Sequence, residues 1–404
     1  MNDSPCEAMV HDPQSIIRTD VRGAGRIVAL DGLRGVAILM VLVYHLAPRS
    51  ESTSISATLF TNLLDLGKYG VDLFFVLSGF LITGILLQTK TRPGYLTNFF
   101  GRRSLRIFPL YYALLFVLFI ALPFVHVFEF ETARADQKWF WLYIVNISAG
   151  IKRFPYGSLN HLWSLAVEEQ FYLVWPFIVL CVSRRTLARI CWISIALAFI
   201  SRMALILWLH APTLAYTLTP CRMDSLLAGS LIVLYSQRAG WTSRAARPAN
   251  RALPVIGIVY LVICCAFASF QLWKTGISLI GPTVLAFAFG AAVICSIDGE
   301  SRFAHRMRSP LLIAFGKYSY ALYLFHPLLS HVGHGMVNQL ARRSGFLRTL
   351  PQLSRDWMAL PLTLSLSFGS AWVSWHLFEK RFLGLNRFFS FPQRAETETG
   401  TSIG

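Results

Sequence analysis

Long apolar runs alternate with short polar segments along almost the whole chain. A run of about 20 apolar residues is long enough to cross the hydrocarbon core of a bilayer as a helix. By this measure the pattern predicts ten membrane-spanning helices. They lie near residues 27–47, 70–88, 105–125, 161–182, 187–209, 222–236, 252–270, 277–297, 310–332 and 357–379.

One further apolar run, residues 139–150, is short for a crossing. It also contains Asn146 and Ser148, whose polar side chains are costly to place in hydrocarbon. We therefore expect a re-entrant or interfacial segment there. The predicted fold class is an all-α integral membrane protein, a bundle of about ten transmembrane helices plus this short segment.

Composition supports a membrane protein whose partner is the lipid bilayer. Of the 404 residues, 55% are hydrophobic and only 14% are charged, and the mean hydropathy is +0.53. A soluble chain carries roughly a quarter charged residues. The net charge of +17 does not indicate nucleic acid as a partner, because the basic residues cluster in short loops, as cytoplasmic loops of membrane proteins do.

The distribution of arginine predicts the orientation in the membrane. With the N-terminus in the cytoplasm, the inner loops carry arginine, whereas the outer loops 50–69, 210–220 and 271–276 are nearly free of it. Both termini are then cytoplasmic. The outer loop 333–356 departs from this distribution, because it carries four arginines. It is interpreted either as a solvated charged loop or as a surface that faces an anionic acceptor.

No internal repeat and no Gly-, Ser- or Pro-rich linker divides the chain. Residues 27–383 are therefore expected to form one membrane domain, with flexible cytoplasmic tails at residues 1–26 and 384–404. The seven cysteines show neither metal-binding nor redox spacing. No metal site and no permanently bound cofactor is predicted.

The first span carries two side chains that are costly in lipid, Arg34 and His45. At about 100° per residue, eleven steps make three turns plus about 20°, so both side chains share one helix face. At about 1.5 Å per residue they stand about 16 Å apart along the helix axis. In the alternative interpretation, Arg34 reaches the headgroups and His45 lies at the opposite interface.

Three arginines stand where the third span begins. Spacings of three and four residues place Arg102, Arg103 and Arg106 on neighbouring parts of one helix surface. Guanidinium groups bind phosphate oxygens through paired hydrogen bonds, so this cluster suits a phosphorylated cytoplasmic ligand. An ordinary basic flank of a membrane span is the alternative.

The fourth span contains two adjacent carboxyl groups, Glu168 and Glu169, within an apolar sequence. Helical spacing puts Glu168 on one polar stripe with His161, Ser164 and Tyr172. Carboxyl groups inside a membrane span indicate a functional site more often than a structural ion pair.

Three other spans carry polar side chains. These are Asp72 and Ser78 in the second span, Arg222 and Asp224 at the start of the sixth, and Tyr323 and His326 in the ninth. A mutual ion pair is the simplest interpretation of Arg222 with Asp224. The remaining four are candidates for lining the acceptor side of a site.

A histidine and a carboxyl group at one depth suit general-base activation of a hydroxyl group. The imidazole takes the proton, and the carboxylate orients the imidazole and stabilises its charged form. A basic cleft on the cytoplasmic side then suits the donor. Acyl-CoA fits both features, because its nucleotide carries several phosphates and its long pantetheine arm can reach inward.

Five segments resemble acyltransferase family 3, whose polytopic membrane proteins include O-antigen and exopolysaccharide O-acetyltransferases. In chain order they are LDGLRGVAILMVLVYH, GVDLFFVLSGFLI, RRSLRIFPLYY, HLWSLAVEEQFYLVWP and YSYALYLFHP. The resemblance covers residues 27–382 and implies about ten helices. It also implies transfer of an acyl group, usually acetyl from acetyl-CoA, to carbohydrate hydroxyl groups.

The resemblance also implies roles for individual residues. It places the donor phosphates at Arg34, Arg103 and Arg106 and the catalytic base at His45, with Glu168 as its orienter or as a second proton-handling group. The hypothesis is an acetyl-CoA-dependent O-acyltransferase of the bacterial inner membrane that acts on a cell-envelope or extracellular carbohydrate. A small-molecule or lipid acceptor is one alternative. A transporter without covalent chemistry is another, although no inverted repeat supports it.

Overall fold

The protein is described by a computed structural model that covers residues 27–49, 54–122, 131–267 and 271–390. Within these ranges the chain is helical and forms no β-strand, which confirms the all-α prediction. Eighteen α-helices follow one another in this part of the chain. They are α1 (Val28–Leu46), α2 (Ile55–Asp65), α3 (Gly70–Thr89), α4 (Tyr95–Phe116), α5 (Glu131–Ala135), α6 (Gln137–Trp141), α7 (Val145–Ile151), α8 (Trp163–Cys181), α9 (Arg184–Met203), α10 (Pro212–Thr217), α11 (Met223–Ser236), α12 (Trp241–Phe267), α13 (Gln271–Ile297), α14 (Arg302–Met307), α15 (Pro310–Arg343), α16 (Gly345–Thr349), α17 (Gln352–Ser374) and α18 (Lys380–Gly384).

Six helical segments in the described ranges are long and apolar enough to cross a membrane, so the chain is a multi-pass membrane protein. The six are Val28–Leu46, Ser56–Thr89, Tyr95–Ala121, Gly157–Cys181, Arg184–Trp208 and Ser278–Ile297. The other four predicted spans also fall on helices, namely α11, α12, α15 and α17. Because these four are shorter or more polar, the count of ten crossings stays a prediction.

Two helices extend well beyond their apolar runs. Helix α4 begins at Tyr95, ten residues before the predicted span, and α15 continues to Arg343, eleven residues past its predicted end. The added turns are polar, so hydropathy does not detect them, although residues such as Arg and Gln favour helix. The early start of α4 places the three arginines Arg102, Arg103 and Arg106 inside the helix.

The short apolar run 139–150 does not form a single crossing helix. It is divided between α6 and α7, and Tyr143 between them has a left-handed backbone with φ of 53°. Helix α7 has seven residues, which corresponds to about 10 Å of length. Gln170 on α8 anchors the break by donating to the Tyr143 carbonyl and to Asn146 Oδ1, both at 2.9 Å.

Small residues let the central helices approach closely. A Cβ on Gly79 of α3 would overlap the Leu226 carbonyl of α11, and a Cβ on Gly229 would overlap the Val76 carbonyl in return. The same device joins α1 to α15, because a Cβ on Gly316 would overlap the Asp31 carbonyl. These contacts set the rotation of each helix and hence which side chains face one another.

Two buried ion pairs cross between the central helices. Arg222, at the start of α11, pairs with Asp72 of α3, and Arg202 of α9 pairs with Asp224 at 2.9 Å. All four side chains are at most 1% exposed. The expected mutual pair of Arg222 with Asp224 is therefore wrong, because each residue finds its partner on a different helix.

Candidate active site

A cavity of about 290 Å³ lies among helices α1, α3, α4, α8 and α15. Its lining includes Arg34 from α1 and both Arg103 and Arg106 from α4. Asp31 and Glu168 add two carboxyl groups to the same lining, so positive charge is in excess. We call this space the basic cavity.

Two arginines of the basic cavity are held by contacts from two other helices, α15 and α8. Arg34 Nη2 donates to Ser319 Oγ of α15 at 3.4 Å. The Arg103 guanidinium lies over the Tyr172 ring of α8, 5.1 Å from its centroid, within the range of a cation–π contact. The three guanidinium groups predicted from separate segments of the sequence thus meet at one space.

Glu168 is hydrogen-bonded at the side of the basic cavity. Ser78 donates to Glu168 Oε1 and Tyr172 donates to Glu168 Oε2, each at 3.0 Å. The neighbouring Glu169 does not line the cavity. Among the described residues, the recorded hydrogen-bond partner of His45 is the Val41 carbonyl, at 3.0 Å from Nδ1, and Glu168 bonds Ser78 and Tyr172.

His45 lies in a second group of side chains, which we call the histidine cluster. It consists of His45 on α1, His326 on α15 and His161 in the turn before α8. The His45 ring centroid is 4.9 Å from that of His326 and 6.5 Å from that of His161, and the last two are 5.3 Å apart. Three distant segments of the sequence therefore place imidazoles at one point.

Backbone carbonyls hold all three imidazoles in the same way. Nδ1 lies 3.0 Å from the Val41 carbonyl in His45, 2.8 Å from the Ser158 carbonyl in His161, and 3.0 Å from the Leu322 carbonyl in His326. A carbonyl can only accept, so each Nδ1 carries a proton when the ring is neutral. The opposite nitrogen, Nε2, is then an acceptor and a potential base.

The two regions meet at Tyr323. This side chain lines the basic cavity, and its ring centroid is 5.2 Å from that of His161 and 5.9 Å from that of His326. Its hydroxyl group donates to the His161 carbonyl at 2.9 Å and lies 2.6 Å from Ser164 Oγ. Tyr323 and Ser164 thus form the boundary between the basic cavity and the histidine cluster.

The members of the histidine cluster differ in accessibility. His45 is exposed at the protein surface, whereas His161 is 5% exposed and His326 is fully buried. Within the described residues, Nε2 of His161 and Nε2 of His326 are buried and have no hydrogen-bond partner. His45 is therefore the imidazole that an incoming molecule can reach first.

The other candidate residues divide between the two regions, with one exception. Ser78 and Tyr323 line the basic cavity, and His326 belongs to the histidine cluster. Asp72 lies at neither. It is fully buried and bound to Arg222 and to Ser225 Oγ, the latter at 3.0 Å. Its predicted place on the acceptor side is wrong, because the buried guanidinium of α11 occupies its carboxylate.

Sequence reasoning named His161 only as part of a polar stripe and gave it no role. Its seven-residue distance from Glu168, two helical turns, was the available signal. Asp31 was not singled out, although it stands three residues before Arg34. No sequence signal indicates that His161 comes next to His326, because the two lie far apart in the chain.

Comparison with known proteins yields a family and a set of relatives. The family model described as an acyltransferase domain matches residues 27–379. The O-acetyltransferase OatA of Staphylococcus aureus strain NCTC 8325 is 28% identical over 313 residues, which cover 74% of this chain and 49% of that protein. The peptidoglycan O-acetyltransferase OatA of Listeria monocytogenes is 28% identical over 313 residues, 74% of this chain and 48% of its own.

The chain spans about half the length of these curated relatives. No solved structure matches this chain.

Proposed function

The chain belongs to acyltransferase family 3, and from this premise we propose that it is a membrane O-acyltransferase that moves an acetyl group from acetyl-CoA to a carbohydrate hydroxyl group. The observation that carries the proposal is the junction at Tyr323, where the basic cavity meets the histidine cluster. The positive charge of the cavity suits the anionic head of a donor with a long arm. A hydroxyl group at the cluster finds a base.

The basic cavity is assigned to the donor. Arg34, Arg103 and Arg106 bind the phosphates of acetyl-CoA, because guanidinium groups match phosphate oxygens with paired, charge-assisted hydrogen bonds. The eleven residues from Arg34 to His45 span about 16 Å of helix. The pantetheine arm runs along this distance and carries the thioester past Tyr323 to the cluster.

His45 is assigned as the general base. Its Nδ1 is held by the Val41 carbonyl, so Nε2 is free to take the proton of the acceptor hydroxyl group. The hydroxyl oxygen then bonds to the acyl carbon, and the bond between that carbon and the CoA sulfur breaks. The proton passes from His45 to the departing sulfur, which leaves as the thiol and returns the imidazole to its neutral form.

Glu168 is assigned a positioning role on the donor side. Its contacts with Ser78 and Tyr172 hold the Tyr172 ring under Arg103. A negative charge beside three guanidinium groups also reduces their mutual repulsion before the donor binds. In this proposal Glu168 does not orient His45. The Val41 carbonyl orients the imidazole instead.

The acceptor is assigned to the cell envelope. The Listeria relative is named a peptidoglycan O-acetyltransferase, and an acceptor glycan of the envelope or the exterior, such as O-antigen or exopolysaccharide, carries the same hydroxyl chemistry. The protein is then a domain of ten crossings over residues 27–383 in the bacterial inner membrane. Both termini face the cytoplasm, which places α4 and its arginines on the side where acetyl-CoA is made.

The proposal is tested by label transfer. Membranes containing the wild type or His45→Ala receive acetyl-CoA labelled in the acetyl group, and the glycans are extracted. We expect alkali-labile label in the polysaccharide of the wild type and a loss of about 100-fold or more in the variant, since a general base contributes 10² to 10⁴. His376→Ala is the matched control, because its Nδ1 binds a carbonyl in the same way but lies outside the cluster, on the exposed turn after α17.

Each other outcome points elsewhere. Near-normal transfer by His45→Ala contradicts the assignment of the base. Label in lipid or in a small molecule, with none in glycan, keeps the chemistry and changes the acceptor. A purified protein that binds no acetyl-CoA and leaves its solute unmodified contradicts the enzyme and favours the transporter alternative.

A further inference from the structure

Helix α15 continues past the histidine cluster, whereas its neighbour α1 ends there. The two helices run in the same direction, because Arg34 contacts Ser319 and, further along both helices, His45 lies beside His326. Helix α1 ends one residue after His45. Helix α15 continues from His326 for 17 residues to Arg343, which corresponds to about 25 Å of helix. The end of α15 therefore lies well beyond the cluster, on the side of the bundle where His45 is exposed.

Helix α15 is also longer than a bilayer is thick. Its 34 residues correspond to about 51 Å of helix, compared with about 40 to 45 Å for a bilayer with its headgroups. A tilt of about 20° from the membrane normal shortens its reach only to about 48 Å. In the ten-crossing arrangement of the proposed function, the end of α15 therefore projects past the headgroups into the aqueous envelope.

The end of α15 belongs to a basic hairpin, residues 333–356, which we call the arginine hairpin. It consists of the last turns of α15, the short helix α16 and the first turn of α17. Helix α17 then packs back along α15, since a Cβ on Gly333 would overlap Thr363 Oγ1. The hairpin contains four arginines and one carboxyl group, Asp356. It therefore carries a net positive charge on the predicted outer face, where arginine is otherwise scarce.

Three of these arginines lie together at the turn of the hairpin. Arg342 and Arg343 are the last residues of α15, and the backbone N–H of Arg348 donates to the Ser344 carbonyl at 3.1 Å. This bond closes a helical turn and brings Arg348 back to the end of α15. All three arginines are exposed. We call them the tip arginines.

Two basic residues of other predicted outer segments show how such charges are neutralised within the protein. Arg49, which follows α1, pairs with Asp65 at 3.0 Å. Lys152, which follows α7, pairs with Asp136. In both cases a carboxylate from a neighbouring segment supplies the counter-charge.

The tip arginines lack such a partner in the described part of the chain. The carboxyl group of the hairpin itself, Asp356, accepts a hydrogen bond from Gln352 at 2.7 Å and lies 3.7 Å from His334 Nε2. Among the residues that the structure describes, no carboxyl group forms an ion pair with a tip arginine. Like charges held together without a counter-charge repel one another. Their arrangement therefore favours an anion from outside the protein.

An anionic glycan and an anionic lipid surface are the two candidates for that anion. Phe346, which lies between Arg343 and Arg348 in the sequence, is 72% exposed, and exposed apolar residues beside basic ones are typical of interfacial segments. The length of α15 favours the glycan, because the tip lies past the headgroups. Attraction between exposed charges is screened over about 8 Å at physiological ionic strength, so a polymer in contact with the tip interacts more strongly than headgroups below it.

We propose that the arginine hairpin is a docking surface for an anionic glycan. Carboxylate or phosphate groups of the glycan bind the tip arginines through charge-assisted hydrogen bonds, while a hydroxyl group further along the same chain reaches His45. This inference rests on the proposed function and narrows its acceptor to polyanionic glycans. Because about 25 Å of helix separates Arg343 from His326, the docked groups belong to sugar units other than the one that is acetylated.

The test compares two triple variants of the full chain in nanodiscs of uncharged lipid. The tip variant carries Arg342→Gln, Arg343→Gln and Arg348→Gln. The control variant loses the same charge from three exposed arginines at the start of α9, through Arg184→Gln, Arg185→Gln and Arg189→Gln. The probe is fluorescent polygalacturonate, and its matched form has the carboxyl groups reduced to hydroxyl groups. Fluorescence anisotropy gives the Kd, and transfer of labelled acetyl to short and long fractions of the polymer gives the KM.

We expect the tip variant to raise the Kd for polygalacturonate by about tenfold, since an exposed ion pair contributes a factor of about 1.4 to 5 and three are lost. The control variant should change the Kd by less than twofold. The wild type should bind the carboxyl-reduced polymer more weakly than the anionic form. The KM for long anionic chains should rise with the Kd in the tip variant, whereas the KM for acetyl-CoA should stay within twofold of the wild type. Because the substituted side chains are exposed, both variants should keep the Tm of the wild type.

Several results would overturn the docking surface. Equal weakening in the tip and control variants would indicate general attraction to a basic protein, and equal binding of both polymer forms by the wild type would exclude recognition of charge. An unchanged Kd in the tip variant, with transfer reduced only in nanodiscs of anionic lipid, would assign the tip arginines to the membrane surface.

Failure of the proposed function gives a different result. If the wild type binds acetyl-CoA and polygalacturonate but acetylates no glycan, the proposed acceptor fails while the Kd still reports on the hairpin. Normal acetylation of a glycan with an unchanged Kd in the tip variant contradicts the docking surface alone.

Discussion

The three helical segments that supply the histidine cluster also line the basic cavity, to which α3 and α4 contribute as well. The pairs are Arg34 and His45 on α1, Glu168 and His161 on the segment Gly157–Cys181, and Ser319 and His326 on α15. Their spacings of eleven, seven and seven residues are close to whole numbers of turns at 3.6 residues per turn. Each segment therefore presents one group to each region from a single face.

The two regions differ in how their polar groups are satisfied. In the basic cavity, side chains bind one another, as Arg34 binds Ser319 and Glu168 binds Ser78. In the histidine cluster, backbone carbonyls bind one nitrogen of each ring, and Nε2 of His161 and Nε2 of His326 have no hydrogen-bond partner among the described residues. Permanent charge suits a polyanionic donor, and neutral lone pairs suit a hydroxyl acceptor. The comparison shows that one set of helix faces can present permanent charges in one region and uncharged imidazoles in another.

His45→Ala is expected to have the largest effect on transfer. The next largest effect is expected from substitution of the arginines of the basic cavity, which should change the KM for acetyl-CoA and not the KM for the glycan. Arg103→Ala removes a charge-assisted contact to phosphate, which is worth about 1.5 to 3 kcal/mol. The KM for acetyl-CoA should therefore rise by about ten- to a hundredfold, while the KM for the glycan changes little. The measurement is steady-state transfer of labelled acetyl in detergent or vesicles.

The exposed Arg185→Ala on α9 is the control for loss of a positive charge. If it raises the KM for acetyl-CoA as much as Arg103→Ala does, general attraction to the basic protein explains the effect and the cavity does not hold the donor.

A smaller effect is expected at Glu168. Glu168→Gln keeps the shape of the side chain and loses the negative charge, so only one of the two hydroxyl groups, of Ser78 or of Tyr172, keeps an acceptor oxygen, and the other faces the amide NH2 group. We expect transfer to fall by about threefold to tenfold, the cost of weakening hydrogen bonds to a charged group. The readout is kcat and both KM values, compared with His45→Ala.

If Glu168→Gln loses as much acetyl transfer as His45→Ala does, Glu168 takes part in proton transfer directly. It would break the division between donor side and acceptor side that the hydrogen bonds define. Ser78→Ala removes one of the two partners and should show part of the same effect.

The smallest effect is expected at the boundary. Tyr323→Phe removes the hydroxyl group that donates to the His161 carbonyl and contacts Ser164, yet keeps the ring between the regions. Loss of one or two neutral hydrogen bonds corresponds to about a few-fold change in rate. Both KM values should change together, because this residue belongs to both regions. A change in only one KM would assign Tyr323 to one region.

Much of the fold follows from periodicity and hydropathy within each segment. The apolar runs predicted the helices, and the eleven-residue spacing of Arg34 and His45 predicted their shared face. These features are local, because the face that a residue occupies depends only on its own helix.

The tertiary structure alone decided which faces meet. Asp72, and not Asp224, pairs with Arg222. Glu168 lies with the arginines of the basic cavity and not beside His45. His161 lies beside His326. Each outcome depends on the rotation and depth of one helix against another. Close backbone contacts at glycines such as Gly79 and Gly316 set that rotation. Spacing within a single segment carries no information about it, because the partner lies on a helix far away in the chain.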